Sequence, residues 1–89
     1  MLKETIIISN KLGLQARASA KLVNTAKRFE SEVTLNKDQK TVNAKSIMGV
    51  MMLAAGKDSE LVIVSEGPDE EDALNAVIEL IDQKFGEAE

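Results

Sequence analysis

The hydrophobic pattern of the chain switches repeatedly between a period of two and a period near 3.6. Thr5-Ile6-Ile7-Ile8 is a β-branched run within residues 3–9, closed by Ser9-Asn10, and predicts a buried strand. Residues 16–29 then take helical spacing: Ala18, Leu22, Ala26 and Phe29 share one stripe with Val23 at its edge, and Arg17, Lys21, Asn24 and Arg28 lie opposite. Over residues 32–37, Val33 and Leu35 alternate with polar neighbours and are predicted to face inward. Asp38-Gln39 makes a turn without glycine, and residues 40–43 return as the second arm of a short hairpin.

Ser46 is a good N-cap for a following short helix, because its hydroxyl oxygen accepts from the free N–H groups of a first turn. Ile47, Val50, Met51 and Ala54 have the spacing of its buried face, yet Met48, Met52 and Leu53 are apolar as well. A domain of this size does not enclose such a helix on all sides. Some of Ile47, Met48 and Met51 are therefore expected at the surface as a contact patch, where flexible methionines suit several partners. The plainer alternative has the methionines filling gaps in the core.

Gly56 to Ser59 is a loop, Leu61 to Val64 a second strong strand, and Gly67-Pro68-Asp69 the break before a last helix. Asp69, Glu70, Glu71 and Asp72 stand at its positive end, and Leu74, Val77, Ile78, Ile81 and Phe85 form one stripe. Lys84 and Gly86 mark its close. The order is β-α-β-β-α-β-α. An α+β fold follows, as a single domain over residues 1–89: one antiparallel sheet covered on one face by helices.

Composition narrows the chemistry. The 89 residues include no cysteine and no histidine. Thiol nucleophiles, disulfides, Cys/His zinc sites and imidazole acid–base catalysis are excluded together. No cofactor or metal is expected, and no acid–base or nucleophile constellation marks an enzyme. The opening apolar run is too short for a secretory signal and nothing has membrane-spanning length, so a soluble cytoplasmic protein is expected. A net charge of −4 and only two aromatics, Phe29 and Phe85, argue against nucleic acid as a direct partner. The charge is divided along the chain: residues 11–45 carry eight basic and three acidic side chains, while residues 58–89 are strongly acidic.

The basic part holds the stretch Asn10-Lys11-Leu12-Gly13-Leu14-Gln15-Ala16-Arg17-Ala18-Ser19-Ala20, where a strand gives way to a helix. Gly13 permits a turn that a Cβ would resist. The first free N–H groups of the helix, with Arg17 beside them, suit an anion such as a phosphate or carboxylate. A cation in the first turn is otherwise unfavourable against the helix dipole. A plain strand–turn–helix join with Arg17 as a solvated charge is the competing reading.

Gly13-Leu14-Gln15-Ala16-Arg17-Ala18 closely resembles the active-site signature of HPr, the small phosphocarrier of the sugar phosphotransferase system, in which the pattern reads Gly-Leu-His-Ala/Thr-Arg-Pro/Ala. Residues 43–51, Asn-Ala-Lys-Ser-Ile-Met-Gly-Val-Met, resemble the segment whose serine HPr kinase phosphorylates in that family. The resemblance spans essentially the whole chain. It implies an open-faced β-sandwich with four strands and three helices on one side. It also implies docking of Enzyme I and sugar permease subunits on Arg17, Ala20, Lys21, Ile47, Met48 and Met51, with Ala16 and Arg17 holding phosphate.

The chain departs from the signature where the family carries its phosphorylated histidine, for here the residue is Gln15. Phosphoryl relay needs a nucleophilic nitrogen whose phosphoramidate transfers readily, and a carboxamide supplies neither property. Ser46 is then the remaining phosphorylation candidate, through HPr kinase/phosphorylase, and its phosphorylated form resembles a corepressor of a catabolite-control transcription regulator. The catabolite-repression paralogue of HPr also reads Gly-Leu-Gln-Ala-Arg. Ala18-Ser19 leans instead toward a histidine-bearing HPr whose residue 15 has changed. A small protein-binding scaffold is the third possibility.

Overall fold

The computed structural model describes residues 1–87. Strands β1 (Leu2–Ile7), β2 (Glu32–Lys37), β3 (Lys40–Asn43) and β4 (Glu60–Glu66) alternate with helices α1 (Ala16–Ala26), α2 (Ile47–Met52) and α3 (Glu70–Asp82), and a 3-10 turn over Lys84–Gly86 follows. The strands form one antiparallel sheet in the order β1-β4-β2-β3. Leu61, Ile63, Val33 and Leu35 project from the covered face into a core completed by Ala18, Leu22, Val50, Leu53, Val77 and Ile81. This is the open-faced arrangement expected from the alternation of periods.

Several local expectations are corrected. The first strand is not buried: it lies at the sheet edge, Thr5 and Ile7 are exposed, and only Ile8, just beyond its end, is fully enclosed. The β-branched run records strand propensity, and an edge position leaves one flank to solvent. Helix α1 stops at Ala26 rather than residue 29, so Phe29 packs from a loop and lies half-buried. The last helix ends at Asp82. Phe85 is buried, but it reaches the core from the 3-10 turn with φ 57°.

Helix α2 keeps only Val50 of the four positions expected on its buried face. Its buried anchor is Val50, joined by Leu53 immediately after the helix, whereas Ile47, Met51 and Ala54 are exposed. With apolar residues all round, spacing alone did not tell which stripe would turn inward. The contact with β3 and α1 decides it. The expected surface patch is present, since Ile47, Met48 and Met51 are 38%, 68% and 41% exposed, and Met52 joins it at 68%.

Asp69 precedes α3 but does not cap it with its own side chain. Its carboxylate crosses to the loop after α1, accepting from the backbone N–H of Glu30 at 3.0 Å, that of Ser31 at 2.9 Å, and the Ser31 hydroxyl. The Ser31 hydroxyl oxygen accepts in turn from the Asp69 N–H at 3.0 Å. These bonds, the Ser31 hydroxyl foremost, hold the Asp69 carboxyl below its ordinary value of 3.8.

Two predictions follow from this packing. Leu53→Ala is expected to cost about 2–5 kcal/mol in denaturant unfolding, and Met48→Ala less than about 0.5 kcal/mol, because only the first leaves a cavity. Equal losses would place Met48 in the core. Because the folded state depresses the Asp69 carboxyl, its stabilisation is complete above the ordinary value and is lost as pH falls through the lower folded one. Acid unfolding of Asp69→Asn should therefore show a shallower loss of stability below pH 3.8 than the parent chain. An unchanged slope would remove Asp69 from the acid limb.

Candidate functional site

The strand-to-helix junction is built by one close backbone approach. Gly13 has φ 67°, and a Cβ there would lie 2.4 Å from the Ala55 carbonyl oxygen. Leu14 donates its N–H to that same oxygen at 2.8 Å. The loop before α1 is thereby fixed to the loop after α2. Asn10, fully buried, spans the turn: its Nδ2 donates to the Gly13 carbonyl at 2.9 Å and to Glu87 Oε1 at 3.0 Å. The Ser19 hydroxyl donates to the Leu14 carbonyl at 3.0 Å and closes the first turn from within the helix.

Gln15 occupies the N-cap position with extended backbone (φ −83°, ψ −175°), and its side chain makes no capping bond. Its carbonyl accepts from Ser19 N–H at 2.8 Å. Gln15, Ala16 and Arg17 are all exposed, and Arg17 makes no side-chain hydrogen bond or ion pair among the described residues. The N–H groups of this first turn have no acceptor in the helix itself. A depression of about 540 Å³ lined by Lys11, Leu12, Gln15, Ala16, Arg17, Ala18 and Glu87 opens there. A second, lined by Leu12, Gln15, Ala16, Met51 and Ala54 among others, continues it toward α2.

Thus Gln15, Ala16, Arg17 and Met51 are brought around adjoining hollows, while Ser46, Ile47, Met48, Ala20 and Lys21 lie outside them. Ala20 is half-buried on α1. Lys21 is exposed, but its Nζ is tied to the Phe85 carbonyl at 2.6 Å, so it anchors the C-terminal turn as well as adding charge. Ser46 is half-buried at the N-cap of α2, where its Oγ accepts from Gly49 N–H at 3.2 Å. Ile47, Met48 and Met51 stand on the exposed side of that helix.

Three contributors had no signal in the sequence pattern, or only a weak one. Leu12, 56% exposed, lines both hollows, and an apolar residue inside a polar turn was the available clue. Asn10 is a turn-favouring residue whose burial no spacing reveals. Glu87 is brought in by tertiary placement alone: Lys84, Phe85 and Gly86 all have positive φ, and this tight run returns the chain toward α1.

The described family PTS-HPr, the PTS HPr component phosphorylation site, matches residues 2–83. The chain belongs to the HPr family. It is 52% identical to the phosphocarrier protein HPr of Cupriavidus necator over 89 residues, covering all of both chains. It is 45% identical to the HPr-like protein Crh of Halalkalibacterium halodurans over 84 residues, covering 94% of this chain and all of that one. The crystal structure of HPr-C-His from Thermoanaerobacter tengcongensis superposes with a TM-score of 0.97 at 47% identity, covering both chains fully. HPr proteins are phosphocarriers of the phosphotransferase system rather than enzymes, and they work with other components of that system. Among the described residues no helix is long and apolar enough to cross a membrane.

Glu87 brings a carboxylate to the hollow that Gln15, Ala16 and Arg17 also line, held there by Asn10, and a negative charge in that hollow opposes the entry of an anion. Glu87→Gln keeps an acceptor for Asn10 and removes the charge. At low ionic strength it is expected to tighten inorganic phosphate at the Ala16 and Arg17 amides by roughly two- to five-fold, read from amide chemical shifts in a phosphate titration. Identical titration curves for the two proteins would dismiss the competition.

Proposed function

We propose that this HPr-family chain does not relay phosphoryl groups through residue 15 and acts as a regulator of carbon metabolism through phosphorylation of Ser46. The observation that carries the reading is the residue at the mouth of the hollow: Gln15, in a chain without a histidine. A carboxamide nitrogen is neither basic nor nucleophilic, because its lone pair is delocalised into the carbonyl. Ala16 and Arg17 keep the character of an anion cradle, which serves docking of a phosphorylated or acidic group without accepting one covalently.

Ser46 supplies the hydroxyl. It is half-buried rather than sealed in the core, and it stands at the positive end of α2 next to Ile47 and Met48. A phosphate there adds about −1.5 to −2 charges in a place the helix favours, and its oxygens can take over the bond to Gly49 N–H. The fold is kept while the apolar face offered to partners gains a strong negative edge. On this reading HPr kinase/phosphorylase is the modifying enzyme and a catabolite-control transcription regulator the recipient. Arg17, Ala20, Lys21, Ile47, Met48 and Met51 form the docking surface, and the cytoplasm is the compartment.

The greater identity to the Cupriavidus necator phosphocarrier than to the Crh protein favours a second reading, a carrier halted at its transfer step between Enzyme I and a sugar permease subunit. One set of incubations separates them. HPr kinase with ATP is expected to add a single acid-stable phosphate that Ser46→Ala abolishes, and Enzyme I with phosphoenolpyruvate is expected to leave the chain unlabelled. Acid-labile label from the second incubation would overturn the proposal. Full transfer activity in Gln15→His would instead favour the halted carrier.

A further inference from the structure

The exposed side of α2 is a sulfur surface. Met48, Met51 and Met52 are 68%, 41% and 68% exposed, while the same helix is fixed to the core by Val50 and by Leu53 just beyond it. Met51 also lines the hollow that holds Leu12, Gln15 and Ala16. An exposed thioether is open to two-electron oxidants, and its sulfoxide is a polar group with a strong acceptor oxygen. Such a change on the outer stripe leaves every core contact of Val50 and Leu53 in place. The same change on a core methionine would unfold the domain. The fourth methionine, Met1, is 74% exposed but heads the edge strand β1, on the opposite side of the sheet from β3.

We propose that the Met48, Met51 and Met52 cluster is a reversible oxidation switch: hydrogen peroxide converts these thioethers to sulfoxides and silences the docking face of α2 without unfolding the protein. In each step the sulfur lone pair attacks one peroxide oxygen. The S–O bond forms as the O–O bond breaks, and the departing hydroxide takes the proton of the transferred hydroxyl to leave as water. Sulfur is oxidised by two electrons and peroxide is reduced to water. Reduction by methionine sulfoxide reductases restores the thioether. The inference rests on the reading of this face as a docking surface for Ser46 phosphorylation, since it acts on that same surface.

The test uses the full chain, reduced or treated with hydrogen peroxide, with sulfoxide positions assigned by peptide mass spectrometry. Each form is offered to HPr kinase with ATP, and its melting temperature is recorded. Oxidation is expected to lower kcat/KM for Ser46 phosphorylation by on the order of tenfold with an unchanged melting temperature. Methionine sulfoxide reductases should restore the rate. The variant Met48→Leu/Met51→Leu/Met52→Leu, whatever its rate relative to the parent chain, should show the same rate before and after peroxide, with Met1 as the remaining oxidised site. Equal rates for the reduced and oxidised parent chain would end the switch and leave the docking reading intact. A collapsed melting transition on oxidation, or an equal loss in the leucine variant, would also overturn it. Absence of Ser46 labelling in the reduced chain would remove the docking reading and the switch together.

Discussion

The contact between Gly13 and the Ala55 carbonyl sets the relation between α1 and α2. No side chain fits at residue 13, since a Cβ would stand 2.4 Å from that oxygen and 2.6 Å from the Gly56 Cα. The backbone also takes φ 67°, which glycine adopts without strain. Two loops far apart in sequence are thereby held in van der Waals contact, and the Leu14 N–H to Ala55 bond fixes their register. The start of α1 and the end of α2 become neighbours. The adjoining hollows around Gln15 follow from that one approach, because Leu12 and Ala16 line both and Met51 reaches the second from α2.

The sheet provides the platform, and its two edges are treated differently. The edge β3 is covered on its inner side by α2, so the hairpin, Val50 and Leu53 share one part of the core. The edge β1 carries Lys3 and Glu4 at exposed positions, charges that oppose pairing with another strand. At the far end, the Asp69 carboxylate ties the loop after α1 to the head of α3, while Glu70 accepts from Gly67 N–H at 3.2 Å and pairs with the N-terminal amine at 3.0 Å. Polar cross-links therefore brace the side of the molecule remote from the Gln15 hollows. The apolar surface is left beside them.

What could be read in advance was whatever is set by local periodicity. The hairpin from Glu32 to Asn43, the Ser46 cap and the Leu74, Val77 and Ile81 part of the α3 stripe are each determined within a few residues and are found in place, while Phe85 reaches the core from the turn beyond the helix. The turn chemistry was less visible. Asp38 takes φ 58° at the hairpin, a position where Asp is tolerated in place of glycine. Facts that depend on distant partners were not legible at all: the exposure of β1, the inward choice of Val50 over Met51, and the arrival of Glu87 at Asn10. In α2 the pattern failed for a stated reason, since every direction around the helix was apolar. The misreading of that helix and the legibility of its contact patch come from the same excess of hydrophobic residues.

The two candidate phosphorylation positions differ in what the fold asks of them. Gln15 gives the fold only its backbone, as N-cap of α1, and its side chain makes no capping bond. Any side chain that tolerates solvent and an extended backbone can stand there, so the architecture places no demand for an imidazole and survives its absence. Ser46 is bound to the fold by its hydroxyl, which closes a helix of six residues through Gly49. A short helix of that kind depends on its cap and on Val50 for its stability. Chemistry at residue 15 is therefore free to be lost without structural consequence. Chemistry at residue 46 acts on an atom that already governs the helix presenting Met48 and Met51. A modification there would reach the exposed face of α2, the surface proposed for docking, through the helix terminus itself, with no path through the core to traverse.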